Sequence, residues 1–186
     1  MAGPDLINQA KRGDPRAFEV LVRPCLDVAF RTAYLVTRDA EDARDATQTA
    51  LIKAYGALGR FRRDEPFRPW FLAIVANEAK NLVRSRVRRR TDSWPDAGEP
   101  ASGGEDEDPL VEIEARERSA WLVAHINRLE PNDRIAIYCR YALDLTEQEM
   151  AAVLDCPQGT VKSRLHRALG RLRARIDAEE REEARS

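Results

Sequence analysis

Six basic side chains and no acidic one lie between residues 157 and 175 of this 186-residue chain. Lys162, Arg164 and Arg167 fall within two turns of one predicted helix. Their ammonium and guanidinium groups can donate hydrogen bonds to guanine O6 and N7 or to phosphate oxygens, and no neighbouring carboxylate repels the phosphates. The candidate DNA-binding side chains of this segment are Thr160, Lys162, Ser163, Arg164, His166, Arg167 and Arg171.

A second cationic stripe, rich in amide groups, lies in the first half of the chain, where its residues recur at steps of three and four and so share one helix face. Phe61, Phe67, Trp70 and Phe71 crowd just before it. Aromatic rings beside cations suit unstacked single-stranded bases, although a solvated charged face and an aromatic core are the simpler explanations. The candidate residues here are Arg62, Trp70, Asn77, Lys80, Asn81, Arg84 and Arg88.

Catalytic and metal sites are not predicted. Cys25, Cys139 and Cys156 are scattered and odd in number, which predicts buried thiols and no disulfide framework. His125 and His166 have no second ligand at metal-binding spacing. Since a glycine-rich phosphate loop and a nucleophile with a base are also missing from the sequence, we expect no catalytic residue, no metal, no cofactor and no small-molecule substrate.

The distribution of charge divides the chain into three parts. Residues 1–90 carry 18 basic and 11 acidic side chains, residues 91–109 carry 7 acidic and no basic ones, and residues 110–186 carry 13 and 14. The central part also holds three prolines and three glycines, which predicts an extended or flexible acidic linker. No run of eighteen apolar residues and no signal-peptide pattern is present, so we expect a cytoplasmic protein without membrane insertion.

On both sides of the linker the hydrophobic period is helical, which predicts an all-α fold of two small domains. Asp14 and Asp39 are predicted N-caps, Pro24 should divide the first long helix, and Pro69 can open a helix to about residue 90. A helix over 40–54 should end near residue 56.

In the second half we expect a helix over 110–129 and another, capped by Asn132, to about residue 143. Thr146 and Glu149 form a capping box, and Pro157 restarts the chain as a basic helix. The last two helices and their tight turn predict a helix-turn-helix whose second helix enters the major groove.

Two stretches resemble the sigma-70 family of RNA polymerase factors, in its extracytoplasmic-function (ECF) group. Residues from about 18 to 90 resemble region 2, notably DAEDARDATQTALIKAY (39–55) and RPWFLAIVANEAKNLVRSRVRR (68–89). Residues from about 129 to 176 resemble region 4, notably LTEQEMAAVLDCPQGTVKSRLHRALGRLR (145–173). The resemblance implies a region-2-like domain over 1–90 and a region-4-like domain over 110–186, joined by the linker 91–109.

The resemblance also implies an alternative sigma factor that binds core RNA polymerase and directs promoter-specific initiation, with no catalysis of its own. Its first domain would bind the clamp helices of the largest polymerase subunit through Asp42, Asp45 and Gln48, and would melt and read the −10 element with the second stripe. Its second domain would meet the polymerase flap and read the −35 element with the helix-turn-helix. An anti-sigma factor is the expected regulatory partner.

Two other classes of protein remain open from the residues alone. A conventional helix-turn-helix regulator would bind duplex DNA without core polymerase, usually as a dimer on a two-fold site. A protein-interaction bundle such as an anti-sigma factor would leave the basic helices without an explanation.

Overall fold

The computed structural model describes residues 4–62, 65–91 and 120–185. Every regular element within these ranges is a helix, which confirms the all-α prediction. The predicted linker, apart from Thr91, lies outside the described residues, and so does the first half of the helix predicted over 110–129. The domain boundaries at 91 and 109 therefore stay predictions.

Five helices of the first half are described, with two short 3₁₀ turns between them. Their order is α1 (Pro4–Lys11), α2 (Pro15–Val22), a 3₁₀ turn (Arg23–Cys25), α3 (Leu26–Thr37), α4 (Ala40–Ala57), a 3₁₀ turn (Leu58–Arg60) and α5 (Phe67–Thr91). The predicted caps are confirmed, because the Asp14 carboxylate accepts from two backbone N–H groups of α2 and that of Asp39 accepts from the Asp42 N–H.

Three details of this half differ from the sequence prediction or refine it. Pro24 lies in the 3₁₀ turn and divides α2 from α3, as expected from its missing N–H. The helix predicted to end near Gly56 continues to Ala57, since a helical glycine costs only about 1 kcal/mol and α4 has packed neighbours. Helix α1 was not predicted; Ile7 and Ala10 are buried in the core and hold it.

The second half contains α6 (described over 120–127), α7 (Pro131–Tyr141), α8 (Glu147–Leu154) and α9 (Gln158–Glu183). The capping box is confirmed: the Glu149 N–H donates to Thr146 Oγ1, and the Thr146 N–H donates to Glu149 Oε2. The predicted cap at Asn132 is wrong, because Glu130 is the N-cap residue and Pro131 occupies the first helical position. Proline fits there since that N–H has no intrahelical partner.

Small side chains allow the helices of the first half to approach closely. Ala43, Ala46, Ala50 and Ala54 recur along one face of α4, and each is at most 1% exposed. Helices α3 and α5 pack against α4 and against each other, and Phe71 of α5 is fully buried in the core that they share. The rigid long helix α5 thus carries the second cationic stripe.

The two halves are packed against each other in this structure. Helix α7 lies on α3, and α8 lies along α5. One apolar cluster continues from Phe71 and Val75 into Ile135, Met150 and Val161 of the second half. We call this contact surface the seam. The seam buries parts of both predicted DNA-binding surfaces, which bears on function below.

Candidate nucleic-acid interface

The helix-turn-helix is formed by α8, a tight turn and α9. Asp155 ends α8 in the left-handed conformation, with φ of 51°, and Pro157 in extended conformation is the N-cap residue of α9. Asp is one of the few residues that tolerates this region without large cost. Buried Met150 and Val161 fix the two helices against each other. The turn therefore presents the first turns of α9 as a firm, outward-facing element.

Four of the predicted side chains lie exposed on the first three turns of α9. Lys162 has 84% of its side chain exposed, with its Nζ 3.9 Å from Glu147. The Ser163 hydroxyl donates to the Thr160 carbonyl at 3.0 Å, which leaves its oxygen lone pairs accessible. The exposed members of the set on these three turns are Lys162, Ser163, His166 and Arg167. These side chains can donate hydrogen bonds to the base edges in a major groove and accept hydrogen bonds from them.

Three of the predicted residues are less exposed or are engaged within the protein. Thr160 is half-buried. Arg164 is half-buried and donates to the Leu154 carbonyl at 3.3 Å, where α8 ends and its carbonyls lack partners. Arg171 forms an ion pair with Asp133, whose side chain is 5% exposed. Arg164 thus holds α9 to α8, and Arg171 holds α9 to α7, within the second half of the protein.

The second stripe divides in the same way along α5. Asn81, Arg84 and Arg88 are exposed, and Arg84 donates to the Asn81 side-chain oxygen at 3.1 Å. Asn77 and Lys80 are half-buried, and Lys80 lies near Asp155 and Arg164 of the second half of the protein. Burial lowers the pKa of Lys80, and the nearby charges of Arg164 and Arg84 lower it further, while Asp155 acts in the opposite direction.

The aromatic residues before the stripe form a connected cluster. Phe67 and Phe71 are buried, as the core explanation predicted, whereas Trp70 is half-buried. The Trp70 ring centre lies 4.9 Å from that of Phe61 and 5.5 Å from that of Phe67. Trp70 is therefore held firmly with one side accessible, as a stacking platform requires.

Arg62 lies at the edge of this cluster. Its side chain is 71% exposed, and its Nε is 3.7 Å from Glu65 Oε1. A cleft of about 370 Å³ adjoins the cluster and is lined by Trp70, Ala73 and residues of α8, among them Thr146 and Glu149. Helix α8 thus stands directly beside the predicted single-strand surface.

The three predicted polymerase-binding residues do not form one surface in this structure. Asp45 and Gln48 are exposed on α4. Asp42 has only 7% of its side chain exposed, and its Oδ2 lies 2.5 Å from Arg86 Nη1 of α5. In this structure the Asp42 carboxylate thus joins α4 to α5, and its role in polymerase binding stays a prediction.

The sequence analysis did not select two residues that the structure places at functional positions. Gln158 is exposed at the first position of α9, beside the basic side chains, and a glutamine amide can bind adenine N6 and N7 together. Its place directly after Pro157 was the available signal. Arg134 is 6% exposed and spans the seam, and its only signal was a charged residue directly before the apolar run 135–138 of α7.

The thiols and the membrane prediction can also be compared with the structure. Cys25 and Cys139 are buried, but Cys156 is half-exposed, so the prediction of three buried thiols is wrong at one position. In the described ranges no group of three His, Cys, Asp or Glu side chains could hold a metal ion. No helix in these ranges is both long and apolar enough to cross a membrane.

Fold and geometry together define a two-module helical protein that binds nucleic acid, with a helix-turn-helix in one module and a cationic, aromatic surface in the other. Family models match both modules: "Sigma-70 region 2" over residues 21–89 and "Sigma-70, region 4" over residues 119–172. The chain belongs to the sigma-70 family, in its ECF group.

Individual relatives agree with this family. The RNA polymerase sigma-H factor of Pseudomonas aeruginosa is 39% identical over an alignment of 173 residues, and the match covers 88% of this chain and 88% of the other. The ECF RNA polymerase sigma-E factor of Escherichia coli K12 is 37% identical over an alignment of 171 residues, with the same coverage of both chains. A solved structure of the sigma factor RpoE with the anti-sigma factor NepR, from Bartonella quintana, superimposes with a TM-score of 0.70 at 24% identity, covering 86% of this chain and 96% of the other.

Proposed function

We propose that this chain binds core RNA polymerase and directs it to promoters, reading a −35 element with α9 and a −10 element with α5 and the loop before it. The observation that carries the proposal is the exposed face of Lys162, Ser163, His166 and Arg167, on a chain that also matches region 2. The chain itself contributes binding and melting of DNA and no catalytic step, and it acts in the cytoplasm, where polymerase and promoters are.

The −35 role rests on the position of the side chains along α9. Recognition helices contact base edges mainly with their N-terminal residues, and a helix N-terminus also favours phosphate. Lys162 and Arg167 fall in this part, with Gln158 and Ser163 as neutral hydrogen-bonding residues beside them. We assign base reading to these exposed residues and treat Arg164 and Arg171 as supports of the module.

The −10 role rests on the ring of Trp70 and on the cationic stripe of α5, both in the first module. Trp70 offers a ring for an unstacked base, and Asn81, Arg84 and Arg88 extend away from it along α5. Stacking of a base on an aromatic side chain contributes about 1–3 kcal/mol, which offsets part of the cost of unpairing. We propose that Arg62 and Lys80 bind the backbone of the same strand.

Polymerase binding is assigned to the exposed side of α4. Asp45 and Gln48 lie there one turn apart, and Asp42 would support them from within through its pair with Arg86. We expect Asp45→Ala to weaken the affinity for core polymerase while leaving the affinity for free DNA unchanged. Binding to immobilised core enzyme measures this directly.

We propose further that an anti-sigma factor restrains the free protein. The support is the Bartonella quintana structure, in which a sigma factor of the same fold is bound to one. Co-purification from the native bacterium, with the polymerase subunits as an internal reference, is the measurement that would identify such a partner.

The decisive experiment is run-off transcription with core polymerase, using genomic fragments as templates, with and without this protein. Defined transcripts that require the protein would support the proposal and reveal the promoter sequences. No transcripts and no binding to core enzyme, together with tight binding to duplex DNA, would overturn it in favour of a conventional helix-turn-helix regulator.

Arg167→Ala tests the assignment of residues to the −35 element. Loss of one bidentate base contact costs about 1–3 kcal/mol of discrimination, which is about 5- to 150-fold in promoter selectivity. Arg181→Ala is the matched control, because it removes the same charge from the same helix about 21 Å away at 1.5 Å per residue. Equal losses on specific and random DNA for Arg167→Ala would refute base reading by this residue.

A further inference from the structure

A single buried arginine joins the two modules across the seam. Arg134 of α7 donates to the carbonyl oxygens of Leu35 and Val36, which end α3 in the first module. It also donates to the carbonyls of Asn127 and Leu129 of its own module, at 3.0 and 2.6 Å. The last carbonyls of a helix lack intrahelical partners and carry partial negative charge, so a guanidinium satisfies them well. Burial and, to a smaller extent, the charge of Arg38 lower the pKa of Arg134 to about 10, while Glu130 acts in the opposite direction.

A second arginine makes the reciprocal contact. Arg38 follows α3 and donates to the Asn127 carbonyl of the other module at 3.1 Å. It adopts the left-handed conformation with φ of 60°, and its backbone N–H bonds to Tyr34 O, so its backbone ends α3 independently of its side chain. Arg31 of α3 lies close enough to Tyr138 of α7 for its charge to act against the raised pKa that burial gives that hydroxyl. The modules are thus held by charged donors at the end of one helix.

Elsewhere the seam gathers like charges. Lys80 of the −10 surface lies close enough to Arg164 of the second module for their charges to act on each other. In the described part of the chain, the buried Nε of Arg68 has no hydrogen-bond partner. Burying cations without full compensation opposes the contact of the two modules. The packed state is therefore a balance between the arginine contacts and apolar core on one side and this repulsion on the other.

We propose that Arg134 is the latch of a closed state of the free protein, in which the second module packs against α5 and the two DNA-reading surfaces lie too close together to engage one promoter. This proposal rests on the proposed function. Elements named −10 and −35 lie about 25 base pairs apart, which is about 85 Å of duplex at 3.4 Å per pair. In the closed state Lys80 of one module and Arg164 of the other are close enough for their charges to act on each other, so the two modules cannot span that distance. The contacts of Arg134 and Arg38 must therefore break before initiation.

Two substitutions test the latch, and both are made in the full-length protein. Arg134→Met keeps the side-chain length and removes every donor. Arg38→Asn removes the contact with Asn127, and asparagine tolerates the left-handed backbone at this position. Arg128→Ala is the control, because this exposed arginine donates to Glu179 of its own module, at 3.4 Å.

The first readout is the radius of gyration from small-angle scattering, which needs neither polymerase nor a promoter. A compact chain of this length has a radius of gyration of about 16 Å. We expect wild type and Arg128→Ala to be compact and both latch variants to be expanded, with circular dichroism showing unchanged helix content. An expanded wild type, or latch variants as compact as wild type, would overturn the proposal.

The second readout is the affinity for a short fluorescent single-stranded DNA of mixed sequence. Because only the open fraction binds, we expect about 10- to 100-fold tighter binding for Arg134→Met and about 3- to 10-fold for Arg38→Asn. If Arg134→Met loses helix content, Arg38→Asn decides alone, and unchanged scattering and affinity for it would refute the latch. Failure of run-off transcription with expansion of both variants would instead refute the proposed function and leave the latch standing.

Discussion

Arg171→Ala tests whether Arg171 stabilises the fold or reads DNA. The sequence placed Arg171 with the −35 candidates, but the structure pairs it with Asp133 in the first turn of α7. Removing the guanidinium leaves a carboxylate that is 5% exposed without its counter-ion. The variant should therefore lose stability rather than promoter selectivity.

The size of the loss follows from the geometry of the pair. Breaking a fully buried ion pair costs about 3–5 kcal/mol. Here 54% of the Arg171 side chain is exposed, so water can replace part of the contact, and the N-terminus of α7 partly stabilises the remaining carboxylate. We expect about 1–3 kcal/mol, which lowers Tm by about 3 to 10 °C in a chain of this size.

Thermal denaturation followed by circular dichroism measures the loss, and run-off transcription below Tm measures selectivity. Asp133→Asn in the same chain should restore part of the stability, because it removes the uncompensated charge. An unchanged Tm for Arg171→Ala together with lost promoter selectivity would refute this reasoning and return Arg171 to the −35 surface.

Two further predictions concern α5 and the seam. Arg88→Ala should weaken binding to promoter and random DNA by the same factor and reduce the slope of log K against log salt concentration by about one; a loss confined to promoter sequences would contradict a phosphate contact. Burial raises the pKa of the Cys139 thiol to about 12, so very little thiolate exists at pH 8. Cys139 should therefore react with iodoacetamide about a thousandfold more slowly than a free cysteine, and half-exposed Cys156 should be modified first. Mass spectrometry of tryptic peptides checks the order, and equal modification of both thiols would show that the seam opens freely.

The latch and the anti-sigma factor are compatible forms of control. In the proposed closed state Lys80 is half-buried and α8 lies beside Trp70, which should lower the fraction of protein able to bind DNA; a partner that prefers this state would lower it further. Core polymerase, which binds the exposed side of α4 in the proposed function, would act in the opposite direction. Variants of Arg134 should then also lower the affinity for such a partner, because linked equilibria are reciprocal.

The sequence by itself determined the helices and most of their ends. Asp14 and Asp39 cap their helices, Pro24 divides two of them, and Thr146 with Glu149 forms the capping box of α8. These features depend on residues within four positions of each other, so local rules of hydrogen bonding and proline geometry are sufficient. The all-α class and the basic recognition helix followed from the same short-range patterns.

Only the tertiary structure decided which side chains of each charged face are available. Arg171 and its partner Asp133 are 38 positions apart, and Arg134 and the Leu35 carbonyl are 99 apart. Helical periodicity places a residue on a face but does not say which element covers that face, because the contact depends on how remote helices pack. For this reason the buried pair of Asp42 and the seam around Arg134 could not be predicted from the sequence, whereas the exposed turns of α9 could.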